Sequence, residues 1–475
     1  MLRKSLATLP QTLDQTYDRI LTAISKEDCE YARRILQWLT FSARPLSVEE
    51  ISEVAAIDIA REHAFDADEV LEDPLEALNI CSSLITITTN EAERRQRPAQ
   101  RIIALAHYSV QEYLVSDRIK QGGSAKQYSM QEVECHYAIT KGSLAYLIQL
   151  EQPLSKEILE GSALAKYSAE FWSSHLRKTG DRIEQASQLT MSLMAIGEPA
   201  YLNWLRLHDP DNPHADPNLG RSLESVATPL YYAALLGLST ITRLLLDNGA
   251  DVNAQGGEYS NALQAASFKG YEKVVQMLLD AGAERNALAH FYNKNWGGED
   301  HGSPLYIASE QGHKHIVKVL LDAGADVNTQ APGFGTALQE ASWEGHKEVV
   351  KMLLYAGAEV NAQGGYASNA LQAASLKGHE QVVEMLLDAG AEVNAQGGEY
   401  GNALQAASEG GHEQIVKTLL DAGAEVNAQG GYYGNALQAA SQGGHEQVVE
   451  MLLDAGAEVR EQGGYYGNAL QAASY

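Results

Sequence analysis

The heptapeptide NALQAAS begins at Asn261, Asn369, Asn402, Asn435 and Asn468, and related phrases begin at Thr228, Ser303 and Thr336. These starts are 33 residues apart except for one gap of 42, so a nine-residue insertion interrupts a fixed period. A period of 33 is the length of a turn followed by two antiparallel helices. In the copy at 369–401, Leu371, Ala373 and Ala374 predict a short first helix with a small-residue face, which Gly378 ends. Val382, Val383, Leu386 and Leu387 then share one apolar stripe of a second helix, with Glu380, Gln381 and Glu384 facing water. Ala389 and Gly390 close that helix, and 392–398 project as a finger. A unit this small cannot bury its own stripe, so the units must stack into a solenoid.

Charge narrows the partners. The 475 residues carry a net charge of −27, which repels phosphate backbones and anionic lipid and leaves a basic protein surface as the favoured partner. Residues 221–475 hold 13 basic and 30 acidic side chains, so both halves are acidic. Cys29, Cys81 and Cys135 are single and widely spaced, which predicts buried thiols in a reducing compartment rather than a disulfide framework or a metal pair. No stretch reaches 18 consecutive apolar residues and no secretory leader is recognisable, so a cytoplasmic location without membrane contact is expected.

His313, His346, His379, His412 and His445 recur every 33 residues, always after glycine. Stacking places them a whole repeat apart, too far for one metal ion, and each is expected to bond backbone near the start of its second helix. The second helices hardly vary between copies. The first-helix ends do vary, at Phe268, Trp343 and Leu376 among others, and so do the finger tips, at Tyr259, Phe334, Tyr366, Tyr400, Tyr432, Tyr433, Tyr465 and Tyr466. These are the candidate partner-binding residues, because tyrosine offers broad rigid contact with one polar handle. The alternative is that the tyrosines merely stack repeat on repeat. Within the insertion at 289–300, Phe291, Tyr292 and Trp296 are expected to cover or present an apolar spot.

Ahead of the repeats, Ala32, Ile35, Leu36 and Leu39 share a helical face, Ser47 with Glu50 three residues later reads as the cap of a second helix, and a third fits 74–81. Two β-rich runs, 83–89 and 101–107, precede a helix at 109–119. Helices followed by a hairpin predict a winged-helix module. Its second helix, taken as the one that would enter a nucleic-acid groove, carries Glu49, Glu50 and Glu53, so nucleic acid is not an expected partner.

The phrase TPLYYAA at 228–234 resembles the Thr-Pro-Leu-His phrase and paired alanines of ankyrin repeats. Asn402, Ala403, Leu404 and Gln405 take the four positions in a later copy, a variant similar to a fungal ankyrin subset, and asparagine and glutamine can replace the lost hydrogen bonds chemically. The resemblance spans 222–475, as seven repeats and the opening of an eighth, and implies a protein-binding scaffold whose first-helix ends and finger tips line the concave side. The segments LPQTLDQTYDRIL, ILQWLTFSARPLSVEEISE and LAHYSVQEYLVSDRI resemble the region after the nucleotide-binding domain in fungal NACHT-type receptors of the signal-transducing NTPase class. That resemblance implies a linker helix over 1–24 following an absent NTPase, a winged-helix-like domain over 25–120, a helical connector over 121–221 and a repeat sensor.

The expected fold is therefore mainly α, an ankyrin solenoid preceded by a winged-helix-like module and a helical connector. No GxxxxGK[ST] loop, HExxH or GxSxG occurs, so no cofactor, metal or catalytic role is expected. The leading function is a non-enzymatic interaction scaffold, the connector and sensor part of such a receptor. The alternatives are a winged-helix nucleic-acid regulator and a non-functional remnant. The last phrase, GNALQAASY, supplies one helix of an eighth repeat. Leu470 is expected to lean on repeat seven, where Val448, Val449, Leu452 and Leu453 are only partly shielded, with fraying from about Gly463 and self-association through that end.

Overall fold

The computed structural model of the protein describes residues 10–61, 63–90, 100–121, 123–150, 154–293, 298–331, 335–365 and 368–474, without the side chains of 10–12, 90, 100 and 289–301. It divides into two compact units, Met1–Pro229 and Leu230–Tyr475. The division falls a few residues beyond the expected 221/222 boundary. Residues 222–229 stay with the first unit because a 3-10 turn, Leu223–Ser225, folds them back and the Ala227 carbonyl accepts the Tyr201 hydroxyl at 2.7 Å.

The first unit opens with helices α1 (Pro10–Ala23) and α2 (Cys29–Phe41), then β1 (Leu46–Ser47), α3 (Val48–Ala55) and α4 (Glu76–Cys81), the hairpin β2 (Ile85–Asn90) and β3 (Gln100–Leu105), and α5 (Tyr108–Val115). The strands pair antiparallel in the order β1-β3-β2, with buried Ile103 opposite both Leu46 and Ile87. This is the winged-helix arrangement. Helix α2 buries Ala32, Ile35 and Leu36 as its spacing predicts, but Trp38 rather than Leu39 completes the face. The indole ring lies 5.5 Å from the Tyr167 ring and turns the buried stripe toward that contact. Helix α4 starts at Glu76, not at Pro74, because Asp73 accepts the amide of Leu75 on its carboxylate and that of Glu76 on its carbonyl. Helix α5 stops at Val115, short of the expected 119, where Ser116 turns out of helical conformation.

Helices α6 (Glu132–Gln149), α7 (Lys156–Glu160), α8 (Ala165–Leu176), α9 (Ile183–Leu193) and α10 (Pro199–Leu207) complete the unit. Two buried polar systems tie them to the winged helix. The capping box expected at Ser47 and Glu50 forms, and Arg44 grips the Glu50 carboxylate with two N–H groups at 2.6 and 2.9 Å. One turn on, the buried Glu53 carboxylate accepts the Tyr146 hydroxyl at 2.8 Å and the amides of Ala163 and Leu164 at 2.9 and 2.7 Å. The expected outward helix is thus an inward one. Val48, Glu50, Ile51, Ser52, Glu53, Val54 and Ala55 are all buried.

The second system is a relay through two histidines. The Ala43 amide donates to the Tyr167 oxygen at 2.9 Å, that hydroxyl meets His175 Nε2 at 2.9 Å, and His175 Nδ1 meets His136 Nδ1 at 2.8 Å, all in buried or half-buried surroundings. A hydrogen bond between two imidazole nitrogens needs one of them unprotonated. Burial, the neighbouring His136 and Lys178 push the His175 pKa down to about 3. Burial also lowers that of His136.

In the second unit each repeat is a helix pair. Repeat five is Ala370–Lys377 with Glu380–Asp388, and the pattern holds through repeat seven, Ala436–Gly443 with Glu446–Asp454. Asparagine caps the first helix: Asn369, Asn402 and Asn435 each accept the amide of the glutamine three residues on. Gly378 ends the helix in left-handed conformation at φ +80°, where a side chain would be strained. In the second helix Val382, Val383 and Leu386 are buried, while Leu387, expected in the same stripe, is only half-buried. It lies on the edge of a stripe whose centre is set by the other three. The insertion forms a hairpin, β4 (Ala289–Asn293) with β5 (Gly298–Gly302). Trp296 lies outside the described residues, as do the side chains of Phe291 and Tyr292.

Three polar ladders recur along the array, two of them joining successive repeats. The glutamine that follows each cap reaches the finger that closes its own repeat: Gln405 Nε2 faces the carbonyls of Ala428, Gly430 and Gly434 at 3.0, 3.3 and 3.0 Å, and Gln339, Gln372 and Gln438 reach theirs likewise. A finger asparagine both gives and takes: Asn361 Nδ2 donates to the Gly390 carbonyl at 3.2 Å, and its Oδ1 accepts the Glu392 amide at 2.8 Å. The recurring histidine reaches backward rather than to its own turn. His379 Nε2 donates to the Trp343 carbonyl at 2.9 Å, His412 to that of Leu376 and His445 to that of Glu409. A Cβ on Gly378 would stand 2.6 Å from the His412 ring, which explains why glycine accompanies the histidine.

The helix Ala469–Ala472 follows repeat seven, and Leu470, expected to lean on that repeat, is 75% exposed. Its counterpart Leu437 is buried because the next repeat covers it. Val448 and Leu452 are fully buried, Val449 is half-buried and Leu453 is exposed.

Glu53→Ala should lower the stability of the first unit by about 3 kcal/mol in urea unfolding, because three donors lose their acceptor in a buried place. For the histidine relay the folded pKa values are depressed, so its contribution is complete above the ordinary histidine pKa and fades as pH falls from about 6.5 toward 3. His175→Phe should lower stability at pH 7 and flatten that acid limb relative to the parent. In the ladder, Gln405→Ala should cost about 2 kcal/mol. Gln405→Glu should cost more at pH 7, by turning a carboxylate on three carbonyls, and should recover partly in acid.

Candidate functional site

The ladders hold the variable residues in a row. Tyr259 is buried, its ring 4.5 Å from Phe268, which is half-buried against Tyr306, Ile307 and Ala331. Trp343, also buried, packs on Ala373 and Leu376. Lysines from the first-helix ends cover both clusters: Lys269 Nζ stands 5.2 Å from the Phe268 ring centre and 5.7 Å from that of Tyr259, and Lys377 Nζ stands 4.2 Å above Trp343. Phe334 and Tyr366 lie outside the described residues, and Tyr400 is half-buried.

The last two fingers carry a tyrosine pair each. Tyr432 stacks on Tyr465 at 5.0 Å and Tyr433 on Tyr466 at 6.4 Å, both with rings 16° from parallel, while the two rings within each finger stand nearly perpendicular. The backbone forms a matching ladder, in which the Tyr432 amide donates to the Glu399 carbonyl at 2.7 Å and the Tyr465 amide to the Tyr432 carbonyl at 2.8 Å. Tyr433 donates to the Glu409 carboxylate at 3.3 Å, and burial together with that carboxylate raises its pKa. Tyr432 and Tyr465 are 38% and 70% exposed.

The candidate residues therefore separate by environment. Tyr259, Phe268, Trp343 and Leu376 are packing residues with their own lysine cover or apolar neighbours. The four tyrosines of the last fingers stack from repeat to repeat and still offer ring surface to solvent. Sequence reading had no signal for the lysine cover, because Lys377 and Trp343 belong to different copies.

Two turn-and-helix-pair features decide the family: the first-helix cap with its glutamine ladder, and the stacked fingers. The sequence matches the family described as ankyrin repeats over residues 197–289, 286–364 and 371–463, more than half of its length, and again over 344–387. The chain belongs to the ankyrin-repeat family. In this ankyrin-repeat protein the N-terminal part, residues 17–130, matches the family described as GPI inositol-deacylase, winged helix domain, and only that domain of the enzyme family is matched. The azaphilone pigments biosynthesis cluster protein L of Monascus ruber is 37% identical over 283 residues, which cover 56% of this chain and 58% of that protein. The chain thus spans little more than half the length of the curated relative it matches.

Ankyrin repeats are typically non-catalytic. Among the described residues no group of three or more His, Cys, Asp or Glu side chains could hold a metal ion, and no helix is long and apolar enough to cross a membrane. The three cysteines are free thiols, with Cys81 and Cys135 buried and Cys29 half-buried beneath the Tyr128 hydroxyl.

Proposed function

We propose that this ankyrin-repeat protein is a non-enzymatic scaffold that binds a protein partner along the row of first-helix ends and finger tips. The observation that carries this reading is the pair of exposed, stacked tyrosines, Tyr432 and Tyr465, set in a strongly acidic array by a repeating backbone ladder. Rigid aromatic surface rimmed by carboxylates suits a basic or mixed basic-aromatic partner. The first unit serves as the connector that, in a longer relative, links the array to a signalling NTPase, as the resemblance to fungal receptors implies. Two features speak against a nucleic-acid role for the winged helix: α3 is buried along nearly its whole length, and α4, with sequence EALNIC, offers no cation to a phosphate.

Full-length protein used as bait, followed by surface plasmon resonance with the recovered partner, tests the scaffold reading. Reversing the finger and first-helix charges with Glu399→Lys and Glu409→Lys should slow association at least about threefold at low salt, with the difference vanishing at high salt. Tyr355→Ala, at a 97% exposed site on a second helix, should leave binding unchanged. A partner whose binding ignores both salt and these substitutions, or depends on Tyr355, would overturn the assignment of the surface.

A further inference from the structure

Cations and aromatic rings trade places along the array. In repeats two and five the residue before the first helix's closing glycine is lysine, Lys269 and Lys377, and each ammonium lies over aromatic rings of the row. In repeats six and seven the same position is Gly410 and Gly443. The finger tips also change. Glu258-Tyr259 and Glu399-Tyr400 give way to Tyr432-Tyr433 and Tyr465-Tyr466. The cations also thin out: from Gly378 to the end there are fourteen carboxylates against Lys417 and Arg460 alone. Tyr259 and Trp343, which have a lysine over them, are buried, whereas Tyr432 and Tyr465, at the position that Glu258 and Glu399 hold in other fingers, are exposed.

We propose that the tyrosine tape of repeats six and seven is a docking subsite for a cationic side chain, lysine or arginine, presented by a basic segment of the partner. This rests on the scaffold reading and specifies its chemistry. The incoming cation lies on these rings as Lys269 lies on Phe268 and Lys377 on Trp343. Glu399 and Glu409 beside the tape supply opposite charge. The stacked rings are preset by the amide ladder through Glu399, Tyr432 and Tyr465, so little side-chain freedom is lost when the cation arrives.

The test uses full-length protein and a fluorescein-labelled peptide of alternating glycine and arginine, read by fluorescence anisotropy at fixed ionic strength, with the citrulline version as the uncharged control. The double variant Tyr432→Leu, Tyr465→Leu keeps every charge and should weaken binding at least about fivefold. Tyr432→Phe with Tyr465→Phe keeps the ring faces and should bind within about twofold of the parent. Circular dichroism of each variant confirms that the repeats remain folded. Equal affinity for the arginine and citrulline peptides, or an unchanged affinity in the folded leucine variant, overturns the subsite. Either result leaves the scaffold reading to its own test, which uses the recovered partner and the glutamate variants.

Discussion

The solenoid depends on polar side chains that reach across repeat boundaries. A helix pair with three buried aliphatic residues in its second helix is far too small to be stable alone, and stacking creates a new difficulty: every finger carries backbone carbonyls into the seam. The glutamine after each cap answers it with one amide nitrogen aimed at the carbonyls of the finger that closes its repeat, as Gln405 does toward Ala428, Gly430 and Gly434. The histidine ladder works in the opposite direction, from one repeat to the carbonyl that ends the previous first helix. Each repeat is therefore fastened on both sides by side chains that belong to its neighbours. A unit cannot shift by one residue without leaving several buried carbonyls unpaired.

The first unit solves a similar problem with fewer, stronger contacts. Glu53 is a carboxylate in a buried place, where burial raises its pKa even as three donors hold the charged form in position. The donors come from α6 and from the chain entering α8, so α3 cannot leave the winged helix without exposing them all.

Features that rest on local periodicity were legible in the sequence: the 33-residue unit, the Ser47–Glu50 capping box, the valine–leucine stripe, the β-hairpin. Those that depend on residues 23 to 36 positions apart were not. Glutamine in place of histidine could be read as a substitute donor, but not that its amide would meet three carbonyls at once. The histidines were expected to bond nearby backbone, and the carbonyls they reach belong to the repeat before. Leu39 lost its place in the core to Trp38 because the Tyr167 ring, 129 positions away, fixes where the stripe points. Tyr432 and Tyr465 stack between repeats and remain exposed.

That double role has a physical logic. A lone exposed tyrosine must be ordered at the moment of binding, whereas a ring already stacked on its neighbour, with the backbone beneath it hydrogen-bonded from finger to finger, is ordered beforehand. Stacking that stabilises the array and the surface proposed for a partner are then the same atoms seen from two sides. Lys377 shields Trp343, while Tyr432 and Tyr465, at the position that Glu258 and Glu399 hold in other fingers, keep ring surface exposed. Divergence between copies of one repeat thus places rings on the outer surface without altering the caps, stripes or ladders that keep the repeats stacked.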